Sequence, residues 1–182
     1  DEITSASGDA QLANGARALG ALSRASDQAS QQHAILSVAF IESGFSDAGN
    51  GQPTGTDPSG KPYNNIGGAA ALRAAGGLQA LIIARSLQLT DVLAFQSAAT
   101  PGQESAYLAA EASPAAGTAL KIDSLVTATG DPHAVDGPPA GLTAATAPGV
   151  WDRDMSAMVG GMRATEVQVA SALVARSELL QH

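Results

Sequence analysis

The chain has no cysteine, which excludes a disulfide framework and a thiolate metal site while leaving the compartment open. Aromatic residues are only 3% of the total, so a core has to be assembled from Ala, Leu, Val, Ile and Met. Small side chains with few β-branched runs favour close-packed helices over sheets. Charged residues are scarce at 14%, and the net charge is -8. Nucleic-acid binding needs clustered Lys and Arg, so it is excluded, as is broad attraction to anionic lipid. A small anion is still compatible, through a local cationic pocket. No run approaches the roughly 20 apolar residues of a membrane span. No Met or signal peptide precedes Asp1, and the sequence stops at Leu179-Leu180-Gln181-His182 inside a helical pattern. Both ends read as cut, the expectation for a fragment or processed form.

What is present is helical periodicity. Leu78 to Phe95 contains no glycine or proline and holds the densest run of large aliphatic side chains. Steps of three and four place Leu78, Ile82, Arg85, Leu89, Val92 and Phe95 on one helical face. Five of the six are apolar. An arginine in such a stripe either snorkels to solvent or has a buried anionic partner.

In chain order, 1–8 is small and polar and reads as a frayed end. From Asp9 to about Ser43, Leu12, Gly15, Leu19, Leu22, Ser26, Ala29, His33, Leu36 and Phe40 follow a 3.5-residue repeat, as in coiled-coil-like packing. Its middle, Ser26 to His33, is short on bulk and rich in polar atoms, giving a narrow waist or a polar pocket. Residues 44–68 are punctuated by Asn50-Gly51, Pro53, Gly55, Asp57-Pro58, Gly60 and Pro62 and read as a long loop. A helix restarts at Ala69, with a break expected at Gly76-Gly77. Pro101-Gly102 reads as a turn. Gln103 to Thr129 is helical in two pieces, with Ser113-Pro114 as N-cap and first-turn proline. Residues 130–149 form a second Pro/Gly-rich connection. From Val150 onward Trp151, Met155, Met158, Met162, Val169, Leu173 and Leu180 form a stripe in which Met fills core gaps. The expected fold is one all-α domain over 1–182, an antiparallel up-down-up-down bundle.

If the first two long helices are antiparallel neighbours, the Ser26–His33 waist falls near the level of Arg85. A pocket of Arg85, Ser26 and His33 would suit a small anion, since arginine gives a forked, permanently charged donor set. Against this, Arg85 can sit at the edge of the stripe and pair with a surface carboxylate. Asp131, His133 and Asp136 lie close in sequence, but two Asp and one His in a loop read as a solvated turn rather than a metal site. No Ser/His/Asp arrangement, phosphate loop or zinc-binding helix motif is present, and no cofactor is expected. Ala39-Phe40-Ile41-Glu42-Ser43-Gly44-Phe45-Ser46 resembles the catalytic-glutamate segment of soluble lytic transglycosylases, which would make Glu42 a general acid. The later tyrosine-containing motif of those enzymes is missing, and the gap to Gly76-Gly77-Leu78-Gln79 is longer than theirs.

A second resemblance covers most of the chain. Leu19 to Ala25 and Ile35 to Gly44 look like the first helix of the nitrate- and nitrite-sensing domain found in actinobacterial sensor histidine kinases. Ala84-Arg85-Ser86-Leu87-Gln88-Leu89-Thr90-Asp91 is similar to a family helix with an arginine one turn before Thr-Asp. Trp151 to Met158, continuing through Arg163-Ala164-Thr165-Glu166, resembles the closing helix. The family's first helix carries a Gln-x-Glu-Arg-Gly-like motif, where this chain has Gln31-Gln32-His33-Ala34-Ile35. The resemblance implies a non-enzymatic extracytoplasmic sensor domain of a membrane-anchored histidine kinase. Its partner would be a small molecule or anion, a protein of the envelope, or a second copy. A purely structural helical bundle is the remaining alternative.

Overall fold

A computed structural model describes residues 2–41, 55–56, 62–63, 67–131, 142–143 and 146–181. The described residues are nearly all helical: α1 (Glu2–Ile41), α2 (Gly67–Ala98), α3 (Pro101–Glu111), α4 (Pro114–Thr129) and α5 (Ala147–Leu180). Within the first Pro/Gly-rich connection, β1 (Gly55–Thr56) and β2 (Pro62–Tyr63) form a two-residue antiparallel ladder. The Pro/Gly punctuation of 44–68 indicates only a loop there.

Each helix boundary has a local cause. Thr100 caps α3: its hydroxyl accepts from the Gln103 N–H, and the Gln103 side chain accepts from the Thr100 N–H, a reciprocal capping box. Pro101 then occupies the first helical position, where its missing N–H costs nothing. The expected turn at Pro101-Gly102 is therefore a helix start. Ser113 caps α4 through its hydroxyl and Ala116 N–H, as its sequence indicated. Gly130 closes α4 at φ 70°, a left-handed conformation that favours glycine.

Three further boundaries are corrected. Helix α1 runs through most of the segment read as frayed. Helix α2 begins at Gly67 and continues through Gly76-Gly77 without a break; each glycine costs about 1 kcal/mol against alanine, which a 32-residue helix absorbs. Helix α5 begins at Ala147, with Pro148 in its first turn.

The bundle is centred on α1, which packs along both α2 and α5, while α3 and α4 pack on α5. Touching residues climb along one helix and fall along its neighbour. Arg24 meets Asp91 and Gln32 meets Gln88 across α1 and α2. Gly15 meets Leu173 and His33 meets Asp152 across α1 and α5. Leu78 meets Gly130 and Arg85 meets Ser124 across α2 and α4. The buried face of α1 is lined by Ala18, Ala21, Leu22, Ala25, Ala29, Leu36, Ala39 and Phe40. Bulk comes from Phe95, Tyr107 and Trp151, and from Met155, Met158 and Met162.

The α2 stripe is rotated from the sequence expectation. Leu81, Ala84, Gln88 and Phe95 are buried, whereas Ile82 and Leu89 are exposed, Leu89 at 58%. A helix apolar on nearly every side does not encode which side faces inward. On α4, Ile122 and Val126 are buried but Leu120 is exposed; on α5, Leu180 is exposed. Gly77–Ala98 is also long and apolar enough, by length and composition, to cross a membrane, contrary to the reading of the bare sequence. Its two charged residues, Arg85 and Asp91, are both paired to other helices of the bundle.

Candidate functional site

The arginine of the α2 stripe has a buried anionic partner. Arg85 Nη1 lies 2.8 Å from Asp123 Oδ2 on α4, and Arg85 Nη2 donates to Ser124 Oγ at 3.0 Å. The Asp123 side chain is 3% exposed and that of Arg85 31%. The Arg85 contact is an attraction of charges without hydrogen-bond alignment: neither Asp123 oxygen accepts a hydrogen bond among the described residues. Burial pushes the Asp123 carboxyl up from its ordinary range, and the Arg85 charge opposes that shift without cancelling it. The expectation that Arg85 pairs with a carboxylate at the edge of its stripe has the right partner type but the wrong depth.

His33 faces α5. Its Nε2 lies 2.9 Å from Asp152 Oδ1, and its ring stands edge-on to Trp151 with centroids 6.2 Å apart. The Trp151 indole N–H donates to the His33 carbonyl oxygen at 3.3 Å. Ser26 is 2% exposed, and its hydroxyl has no hydrogen-bond partner among the described residues. Among those residues, no hydrogen bond or ion pair joins Arg85, His33 and Ser26 to one another. Arg85 turns to α4 and His33 to α5, while Ser26 sits inside. The reason is register. Gln88, not Arg85, meets the polar waist of α1, where Gln32 Nε2 donates to Gln88 Oε1 at 2.8 Å.

The waist is thus a buried amide pair, Gln32 with Gln88, and the Gln88 Nε2 donor reaches Met162 Sδ only at 4.0 Å. Sequence reasoning singled out neither glutamine. The available signal was the spacing Leu81, Ala84, Gln88, which shares a helical face. Asp123 was missed as well; it is one acidic residue among Ala119, Ile122 and Val126, all buried.

The remaining ion pairs are more exposed on the cationic side: Arg24 with Asp91, and Arg153 with Asp154. Among the described residues no group of three His, Asp or Glu is placed to hold a metal ion. Glu42 and residues 132–136 lie outside the described residues.

What the geometry offers is a half-buried guanidinium against a buried carboxylate, and a separate neutral amide layer one turn away. The first ties α2 to α4, the second fixes register between α1 and α2. A family model described as nitrate and nitrite sensing matches residues 1–174. Neither the curated proteins nor the solved structures gave a match.

Proposed function

The chain belongs to the nitrate and nitrite sensing family, and on that premise we propose that it is the extracytoplasmic input domain of a membrane-anchored histidine kinase that detects a small oxyanion. The domain itself is read as non-catalytic. The observation that carries the ligand class is the half-buried Arg85 guanidinium, the charged donor of the α2 segment that resembles the family. Arg85 is proposed as the principal ligand contact, with His33 and Ser26 as secondary ones drawn in when the ligand binds. The Glu-Arg pair of the family motif is replaced here by His33-Ala34, which leaves Arg85 without an arginine partner on α1.

Signalling is proposed to run through displacement of α1 against α5. Packed helices move between discrete arrangements rather than deforming continuously. The support for this reading is that α1 and α5 pack along one another, held at one level by His33 and Trp151 and at another by Gly15 and Leu173.

Thermal-shift measurements with nitrate, nitrite, chloride and sulfate test the ligand. A ligand at one hundred times its Kd stabilises by about 2.7 kcal/mol. Nitrate or nitrite should raise Tm, and Arg85→Ala should abolish the rise. A flat response to all four anions defeats the oxyanion reading. The second reading, recognition of an envelope protein or a second copy, draws on the exposed aliphatic side chains of α2, Ile83 with Leu87 and Leu89 with Leu93. Loss of that interaction on Leu89→Lys, with anions inert, is its expected signature. The membrane-anchored kinase context is tested by the intact gene, which should place hydrophobic spans on either side of this segment.

A further inference from the structure

Among the described ion pairs that join two helices, Arg85–Asp123 is the least exposed. Three features set its chemistry. The carboxylate is buried and accepts no hydrogen bond from the described residues. The guanidinium keeps an exposed side and is held in place by Ser124. Burial raises the Asp123 carboxyl from its ordinary range against the pull of the adjacent cation.

An oxyanion arriving at Arg85 would bring a second negative charge beside a buried carboxylate that has one cation to share. Two anions and one cation in a poorly solvated place are strongly disfavoured. Other groups do not relieve the imbalance. On α5, Asp152 faces His33 and Asp154 faces Arg153, and Glu166 is a further acid. On α3, Glu111 accepts from Tyr107. On α4 itself, Lys121 is exposed. Arg85 is the one charge that acts on Asp123.

Resting on the oxyanion reading above, we propose that Arg85 and Asp123 form a proton-coupled anion site, in which the incoming oxyanion replaces the Asp123 carboxylate against the guanidinium and Asp123 takes one proton from solvent. The balance is simple. An oxyanion and a proton enter; Asp123 becomes a neutral acid; Arg85 keeps its charge and changes partner. The domain then reports anion and acidity together, and the same anion concentration gives a larger signal at lower pH. The neutral Asp123 acquires a donor, which the bound oxyanion or a neighbouring carbonyl can accept.

Isothermal titration of the 182-residue chain with sodium nitrate, from pH 5 to 8, tests this in two buffers of different ionisation heat. Nitrate itself takes up no proton in that range, so every proton counted belongs to the protein. The wild type should take up close to one proton per nitrate on the alkaline side, with Kd weakening about tenfold per pH unit there. Asp123→Asn should bind with no proton uptake and no pH dependence, and more tightly than wild type at pH 8. Arg85→Gln should not bind at any pH, with circular dichroism verifying its fold. Should Asp123→Asn fail to fold, the proton count of the wild type decides alone. Nitrate binding without proton uptake overturns the coupling and leaves the sensing reading intact. No binding of nitrate or nitrite at any pH overturns both.

Discussion

Trp151 donates its indole N–H to the carbonyl oxygen of His33 at 3.3 Å, and the His33 imidazole stands edge-on to the same indole. The chain's one tryptophan therefore sits across the seam between α5 and α1. Any sliding of α1 along α5 has to stretch or break that contact. Nitrate or nitrite binding should shift the Trp151 emission maximum or change its intensity, and Arg85→Gln should remove the change. Emission that stays fixed while calorimetry registers binding would refute displacement at this level of the bundle.

Gly15 is the next point where α1 and α5 meet. A Cβ built there would lie 2.3 Å from Leu173 Cδ2 and 3.2 Å from its Cγ. Alanine gains about 1 kcal/mol of helix propensity over glycine, whereas overpacking costs about 1–3 kcal/mol. The clash should win, so Gly15→Ala is expected to destabilise by about 1 kcal/mol in chemical denaturation. In a Leu173→Ala background the same substitution should become stabilising by about 1 kcal/mol. The same sign in both backgrounds would mean that Leu173 yields freely.

Asp123 gives a pH dependence whose sign follows from its raised carboxyl. A carboxyl raised on folding stabilises the folded state while it is protonated. That contribution is full below the unfolded value of about 4 and is lost as pH rises through the raised folded value. Asparagine resembles the protonated acid at every pH. The stability of Asp123→Asn relative to wild type should therefore increase as pH rises above about 4 and level off once the folded carboxyl is ionised. A gap that is constant, or that narrows toward pH 8, would contradict the burial-dominated environment of this carboxyl.

The Gln32–Gln88 pair should behave as a unit. Gln32→Leu leaves the buried Gln88 oxygen without its donor, at a cost of about 1–3 kcal/mol. Replacing both by leucine removes the orphan, so the double variant should lose less than the sum of the two single losses. Strict additivity in the double-mutant cycle would show that the 2.8 Å contact contributes no coupling.

The helical nature of the chain was legible because α1 and α5 carry long 3.5-residue repeats, and Gly15, Leu22, Ser26, Ala29, Leu36 and Phe40 are buried as their spacing indicated. The orientation of α2 was not legible, because Ile82 and Leu89 are as apolar as Leu81 and Phe95, and only the packing partner distinguishes them. Pro101 and Gly76-Gly77 misled for a related reason: a proline at N1 and a glycine within a long helix look, in sequence, like interruptions. The candidate site was half legible. A cation in an apolar stripe is conspicuous, so Arg85 could be found. Its partner could not, because Asp123 becomes meaningful only once α4 is known to lie along α2.

Five of the eight core positions of α1 are alanines, Ala18, Ala21, Ala25, Ala29 and Ala39, beside Leu22, Leu36 and Phe40. Single-methyl side chains make shallow ridges, and helices that mesh through shallow ridges approach toward the short end of the usual 8–10 Å axial separation. In mechanical terms α1 is a rack with low teeth. One extra methylene at any of these positions would have to displace a neighbouring helix. The poverty in aromatic residues that marks the whole chain thus falls on the helix at the centre of the bundle.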